Sequence, residues 1–191
     1  FDRSTNHVRD WFTLKVEKML PKLTLVLGGA ASGKSAWAEN LLLSSGLEPV
    51  YLATSRNLDD EINLRILTHK SRRGDNWTNF EADLELGPIL RLGTPQQGIL
   101  VDCATMWLSN VMMDERDLQE NQDRLLDALA TAPAPVIIVT NEVGQGIVPD
   151  NALARGFREA QGRLNIALAA QADLVVKVTV GLPQVLKGAL P

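Results

Sequence analysis

The sequence of 191 residues is short of several features, and each shortage narrows what the protein can be. It has a single cysteine, Cys103, so an internal disulfide is excluded and a reducing compartment, the cytoplasm, is expected. No apolar run is long enough to cross a bilayer, so no membrane span is predicted. Positive charge is scarce, because the net charge is -4 and the one basic cluster lies around Arg72 and Arg73. This balance argues against a general nucleic-acid-binding protein, and no nucleic-acid partner is expected.

The hydrophobic content, by contrast, is typical of a globular protein. It amounts to 45% of the chain, and a chain of 191 residues can form one domain with a sizeable core. Residues 1–18 are mixed and polar, and Met19 lies just ahead of the first apolar run. We expect 1–18 to be a leader or a poorly ordered N-terminal extension, with a helix packed on the body as the alternative. Residues 19–191 are expected to form the single domain.

A P-loop pattern of Gly, four residues and then Gly-Lys-Ser is fulfilled by Gly28, Gly29, Ala30, Ala31, Ser32, Gly33, Lys34 and Ser35. The apolar run before it predicts a buried strand, and the residues after it favour a helix. Backbone N–H groups at the N-terminus of such a helix form a concave site for phosphate oxygens. Lys34 is expected to reach the terminal phosphates, and the Ser35 hydroxyl is expected to bind Mg²⁺. The motif therefore predicts a nucleotide site.

A second element of such a site is the apolar run 98–101 that ends at Asp102. This is the pattern of a Walker B strand, in which a buried strand delivers a carboxylate to a position beside the P-loop. Many strands end in an acid, so the pattern is informative only together with the P-loop. Asp102 is predicted to help Ser35 hold Mg²⁺.

Strands alternate with helices along the rest of the sequence. Further strands are predicted at 49–54, 136–140 and 174–180, and helices at 58–70, around 84–92, at 114–130 and at 151–172. The long glycine-containing stretch 141–149 follows a strand, which is where open α/β sheets place their ligands. We therefore predict a three-layer α/β P-loop NTPase domain with a mostly parallel central sheet.

Several blocks make the chain resemble one family, the bifunctional adenosylcobinamide kinase/adenosylcobinamide-phosphate guanylyltransferases of cobalamin biosynthesis. The Thr-Asn-Glu-Val-Gly stretch at 140–144 and the spacing of Arg65, Ile66 and His69 are its more specific parts. Ala31 departs from the family, which usually carries Arg there, and 1–18 has no counterpart. The matching blocks are 28–35, 53–55, 59–61, Arg65, Ile66, His69, Lys70, Trp77, Glu81, Asp102, Cys103, Thr105, Trp107, 141–144, 146–149, Ala154, Arg155, Phe157, Arg158, Gly162, Arg163 and Asn165.

The resemblance implies two reactions at one nucleotide site. ATP or GTP phosphorylates the aminopropanol hydroxyl of adenosylcobinamide. GTP then gives GMP to an enzyme histidine with release of pyrophosphate, and the GMP passes to adenosylcobinamide phosphate to form adenosylcobinamide-GDP. His69 is the histidine that matches. The resemblance further implies Mg²⁺ as cofactor and a homo-oligomer, a trimer.

The resemblance also implies a set of site residues. His69 and Lys34 are assigned to catalysis, and Ser35 and Asp102 to the metal. His69, on the residues alone, is also compatible with a structural core histidine, and Glu81 with a surface carboxylate. Besides the P-loop, the nucleotide-binding residues are expected to be Thr54, Ser55, Arg56, Lys70, Ser71, Arg72, Arg73, Glu81 and Asp102.

Two other functions stay open at this point. A single-function P-loop kinase for another small alcohol needs the P-loop and Asp102 but no covalent histidine. A P-loop switch or motor-type ATPase needs an arginine finger, partner surfaces or a basic groove, and the acidic composition gives it little support. Cys103 is predicted to be a buried small hydrophobe, and Trp37, Trp77 and Trp107 are predicted to be core residues.

Overall fold

The computed structural model describes residues 19–56 and 76–191. In these ranges the strands are β1 (Leu23–Gly28), β2 (Glu48–Ala53), β3 (Thr78–Glu81), β4 (Gln97–Asp102), β5 (Val136–Asn141), β6 (Leu174–Thr179) and β7 (Leu182–Lys187). The helices are α1 (Lys34–Ser44), α2 (Gly87–Leu92), α3 (Ala104–Met113), α4 (Leu118–Thr131) and α5 (Ala152–Gln171). The predicted helix at 58–70 and the extension 1–18 lie outside the described residues.

All of these strands belong to one sheet, in the order β3-β2-β4-β5-β1-β6-β7. Neighbouring strands from β3 to β6 pair in parallel, and only β7 pairs antiparallel, with β6. Gly28 at the end of β1 is opposite Asn141, and Asp102 at the end of β4 is opposite Ala53. The carboxyl ends of the parallel strands therefore form one edge. The predicted α/β class with a mostly parallel sheet is confirmed.

The core lies on both faces of the sheet, because successive residues of a strand point to opposite faces. Leu25 belongs to the cluster that α2, α3, α4 and α5 cover, with Trp107 and Leu164. Val26 belongs to the other cluster, in which Leu42 of α1 packs. Among the described helices, one thus covers one face and four cover the other, which gives the three predicted layers. None of the described helices is long and apolar enough to cross a membrane.

Three elements differ from the sequence predictions. Helix α3 and strand β3 are not anticipated, and the predicted last strand is followed by a further strand, β7, which pairs with it in a hairpin. Val180 and Gly181 have φ values of 49° and 80°, which is the left-handed pair that a tight hairpin turn requires. Pro183 is tolerated in β7 because β7 is the edge strand.

The helix predicted at 114–130 begins instead at Leu118, with the Asp117 side chain accepting from the Glu120 N–H at its N-terminus. The amphipathic pattern of 114–130 predicts Leu118, Leu125, Leu126 and Leu129 as core positions. For Leu118 this prediction is wrong, since it lies in the first, exposed turn and is 36% exposed. The expectation for Cys103, Trp77 and Trp107 is confirmed, because all three are buried. Trp37 is only half-buried and packs against the margin of the core.

Candidate active site

The P-loop joins β1 to α1 and leaves the N-terminus of α1 open. Gly33 is the N-cap residue with φ 90°, a left-handed conformation that costs glycine little. No side chain caps α1, and its first turn carries no acidic residue. The first N–H groups and the positive end of the helix dipole therefore face the loop, which is the arrangement that binds phosphate. Ala31 also has a positive φ, 54°, which is uncommon for a residue with a Cβ.

Close packing against the β6–β7 hairpin fixes the shape of this loop. A Cβ on Gly28 would lie 2.5 Å from the carbonyl oxygen of Val178, and one on Gly33 would lie 3.0 Å from Gly181 Cα. The Gly181 N–H donates to the Ser32 carbonyl oxygen over 2.8 Å. The loop is thus held by backbone contacts that leave no room for side chains at these two glycines.

Lys34 lies between the P-loop and the end of β4. Its Nζ donates to the Gly29 carbonyl oxygen over 3.1 Å. Burial lowers the pKa of Lys34, and the negative charge of Asp102 opposes this. The ammonium group is bound to a carbonyl oxygen of the P-loop itself, a bond that it can exchange for one to a phosphate oxygen.

Asp102 ends β4, as predicted, and its Oδ2 accepts from the Tyr51 hydroxyl over 3.2 Å. Burial raises the pKa of the neighbouring Cys103 thiol to about 11, so the thiol stays protonated at neutral pH. No group of three or more His, Cys, Asp or Glu side chains is placed to hold a metal within the described parts of the chain. A Mg²⁺ ion at this edge would therefore depend on Ser35, Asp102, nucleotide phosphates and water, a donor set of hard oxygens that suits it.

The structure gives Thr54 a structural contact. Its hydroxyl accepts from the Cys103 N–H over 2.8 Å and donates to the Cys103 carbonyl oxygen over 2.7 Å, and the residue is fully buried. This pair of bonds joins the ends of β2 and β4. Ser55 follows, half-buried, and Glu81 lies exposed at the end of β3.

Arg56 makes its contacts with carboxylates of the protein. Its Nε donates to Asp83 over 2.5 Å, and its two terminal nitrogens donate to the two Asp114 oxygens, each over 2.7 Å. Hydrogen bonds to Asp114 and Asp83 raise the pKa of Arg56, and the bonds from Arg56 lower the pKa of Asp114. Because the guanidinium is engaged on both sides, a nucleotide would have to displace these bonds before it could use the group as predicted.

The remaining predicted residues lie outside the described ranges. They are His69, Lys70, Ser71, Arg72 and Arg73.

Sequence reasoning assigned no role to a buried polar network beside the P-loop. Thr140 and Gln161 are fully buried, and the Thr140 hydroxyl donates to Asn165 Oδ1 over 2.7 Å. Thr105 and Asn165 in turn fix the backbone N–H and carbonyl of Asn141, over 2.8 Å and 3.1 Å. The available signal was the pair Gln161 and Asn165, polar and four residues apart on one helix face.

Two buried oxygens at this edge have no hydrogen-bond partner among residues 19–56 and 76–191, Ser32 Oγ and Asn141 Oδ1. Burying such an atom without a partner is costly, so both are candidates to contact a ligand or its water. Asn141 is opposite Gly28 in the sheet and therefore lies directly beside the P-loop.

Comparison with known proteins decides the family. The family model described as cobinamide kinase / cobinamide phosphate guanyltransferase matches residues 24–186. The chain belongs to this family. It is similar to the bifunctional adenosylcobalamin biosynthesis protein CobP of Pseudomonas aeruginosa, with 40% identity over 86% of this chain and 96% of that protein. It is 39% identical to the bifunctional adenosylcobalamin biosynthesis protein CobU of Salmonella typhimurium, over 84% of this chain and 97% of that protein.

The fold of the chain is also found in a solved structure of lower sequence identity. The RadB recombinase matches with a TM-score of 0.50 and 19% identity, over 83% of this chain and 75% of that chain. An identity this low supports the shared architecture alone. The predicted resemblance to the bifunctional family is thus confirmed by sequence, and the P-loop fold by structure.

Proposed function

We propose that this chain phosphorylates adenosylcobinamide with ATP or GTP and then transfers GMP from GTP, through His69, to adenosylcobinamide phosphate. The products are adenosylcobinamide-GDP and pyrophosphate. The observation that carries the proposal is the P-loop, with Lys34 Nζ on the Gly29 carbonyl oxygen and Asp102 at the end of β4, in a chain that belongs to the cobinamide kinase / cobinamide phosphate guanyltransferase family.

In the kinase step, the substrate hydroxyl oxygen attacks the terminal phosphorus, and the bond from that phosphorus to the bridging oxygen breaks. The N–H groups at the start of α1 hold the phosphates, and Lys34 exchanges the Gly29 carbonyl for a phosphate oxygen. The Ser35 hydroxyl and the Asp102 carboxylate would hold Mg²⁺, which neutralises phosphate charge when bound. The hydroxyl proton leaves to solvent or a base at this edge.

In the second reaction, an imidazole nitrogen of His69 attacks the α-phosphorus of GTP and pyrophosphate departs. A phosphate oxygen of adenosylcobinamide phosphate then attacks the same phosphorus and frees the histidine. Imidazole has an ordinary pKa of about 6.5, so the neutral nucleophile dominates at pH 7 and above. Support for His69 is its spacing from Arg65 and Ile66, which matches the family pattern.

Labelling tests the covalent step. The protein is incubated with α-labelled GTP and Mg²⁺, denatured, and assayed for retained label. The wild type should hold an acid-labile, alkali-stable adduct, and His69→Ala should hold none while its kinase activity persists. His7→Ala is the matched control, because His7 is the other histidine of the chain. Label retained by His69→Ala at the wild-type level contradicts the assignment, and no label in the wild type favours a single-function kinase.

We also propose that the enzyme works as a homotrimer in the cytoplasm, as the resemblance implies. The single cysteine, Cys103, supports the reducing compartment. Light scattering of the purified full chain tests the assembly, and a monomer or dimer mass contradicts it.

A further inference from the structure

The loop between β5 and α5 presents large apolar side chains to solvent. Ile147 is 96% exposed and Val148 is 67% exposed, and Leu153 in the first turn of α5 is 74% exposed. We call these three residues the apolar rim. Single exposed apolar residues are ordinary, but three of them within seven positions of one loop and helix start are a candidate binding surface.

The protein holds this loop in one shape without burying its apolar side chains. Arg158 donates to the Ile147 carbonyl oxygen over 3.1 Å and to the Gly144 carbonyl oxygen. Arg155 donates to the carbonyl oxygens of Pro149 and Asp150, over 3.0 Å and 2.7 Å. The side-chain N–H groups of these two arginines thus bind carbonyl oxygens of the loop backbone. Such a loop is ordered before a ligand arrives, which lowers the entropic cost of binding.

The loop starts at the P-loop. The Glu142 N–H donates to the Gly28 carbonyl oxygen over 3.0 Å. Ile147 is five residues further on, so it lies within about 17 Å of Glu142, the length of an extended chain. The apolar rim therefore belongs to the carboxyl edge of the sheet, where a phosphate acceptor must approach the terminal phosphate.

We propose that the apolar rim binds the corrin macrocycle of the acceptor, and this rests on the proposed function. A corrinoid is a large ring with methyl-covered faces and a periphery of amide side chains. Ile147 and Val148 suit the methyl-covered surface, and the exposed side chain of Gln145 suits the amides. In this proposal the ring lies beside the phosphate site, and its aminopropanol arm extends from the ring to the P-loop.

The test is the double variant Ile147→Ser and Val148→Ser in the full chain. Its KM for adenosylcobinamide and its affinity for adenosylcobinamide in equilibrium dialysis, read by corrinoid absorbance, should each weaken about tenfold or more, since two apolar contacts are lost. Its kcat and its KM for ATP should stay at the wild-type values. The matched control is Ile166→Ser, because Ile166 is 73% exposed on α5 and lies about 21 Å along the helix from Ala152.

Each outcome separates this inference from the proposed function. If the wild type phosphorylates adenosylcobinamide but the double variant has unchanged KM and binding, the proposed role of the apolar rim is overturned. The proposed function is then unaffected. A wild type that binds the corrinoid but does not phosphorylate it contradicts the proposed function, while loss of that binding in the double variant still supports the rim. A change of oligomeric mass in the double variant assigns these side chains to a subunit interface and overturns the inference.

Discussion

The two adjacent glycines that open the P-loop differ in the space around them, so the same substitution should have different effects. A Cβ on Gly28 would lie 2.5 Å from both Ser32 Oγ and the Val178 carbonyl oxygen, whereas a Cβ on Gly29 would have nothing within 4 Å. Neither glycine has a positive φ. Gly28→Ala and Gly29→Ala therefore change the same atoms on the same loop, and only the first creates a collision.

The cost of that collision follows from what it meets. The Ser32 side chain can rotate, but Val178 contributes a backbone oxygen of β6, which pairs with β1 along its length. Forcing an extra methyl group into a packed site costs about 1–3 kcal/mol, and a backbone neighbour places Gly28→Ala at about 2–3 kcal/mol. For a chain of this size this lowers Tm by about 5–10 °C. Gly29→Ala should stay within about 0.5 kcal/mol of the wild type.

Urea unfolding and thermal melting of the two variants and the wild type measure this difference. The variants are compared without nucleotide, so that altered binding does not enter the stability. Equal stability of Gly28→Ala and Gly29→Ala would refute the packing described for β1, the P-loop and β6. A loss confined to Gly29→Ala would refute it as well.

Three further predictions concern titratable groups of the site. Lys34→Ala should abolish both activities while the fold survives, because the two proposed reactions share one triphosphate site, and activity assays with circular dichroism check this. Asp102→Asn should raise the Mg²⁺ concentration needed for half-maximal rate, which a Mg²⁺ titration measures. Cys103 has its pKa raised from 9.0 to about 11 in the folded protein, so the stability it contributes is complete below pH 9 and is lost as pH rises toward 11. Cys103→Ala should remove that decline, worth about 3 kcal/mol, from unfolding curves recorded across this range.

The central strands were predictable because their residues are apolar on both faces. Runs such as Leu23–Gly28 and Val136–Asn141 can only be stable between two covered faces, and this pattern is typical of a parallel sheet. The P-loop was predictable because its glycine spacing is a backbone requirement and is therefore written locally in the sequence.

The edge strands β3 and β7 were not predictable, because they lack the continuous apolar runs that mark the central strands. All four residues of Thr78–Glu81 and all six of Leu182–Lys187 are exposed, so no burial pattern marks them as strands. They are strands because a neighbour offers a free row of backbone partners. The amphipathic pattern of α4 gave its core positions Leu125 and Leu129, but its start depended on the side chain of Asp117 rather than on periodicity.

In the candidate site, too, residues within local sequence motifs could be predicted, whereas contacts between residues distant in the sequence could not. Lys34 and Asp102 were placed correctly at the edge because each ends or follows a strand. Arg56 was assigned to the nucleotide, yet its partners Asp83 and Asp114 lie 27 and 58 positions away and form no local motif. A charge next to a predicted site can equally neutralise the protein's own carboxylates, and spacing cannot decide between the two.

The network behind Asn141 explains why such distant contacts matter to the chemistry. Thr140 and Gln161 are fully buried, and the Gln161 amide nitrogen donates to the Thr140 hydroxyl, which donates to Asn165. Because buried donors are costly without partners, these bonds between β5 and α5 fix one relative position of the two elements. Asn141 is then held at both backbone groups, and the P-loop pairs with it through Gly28. Backbone N–H groups of the P-loop that are fixed before the nucleotide binds need no rearrangement as charge develops on the phosphates. Under this condition they lower the activation barrier of the transfer. The polar residues that sequence patterns assign to no function are therefore the ones that keep the P-loop edge rigid.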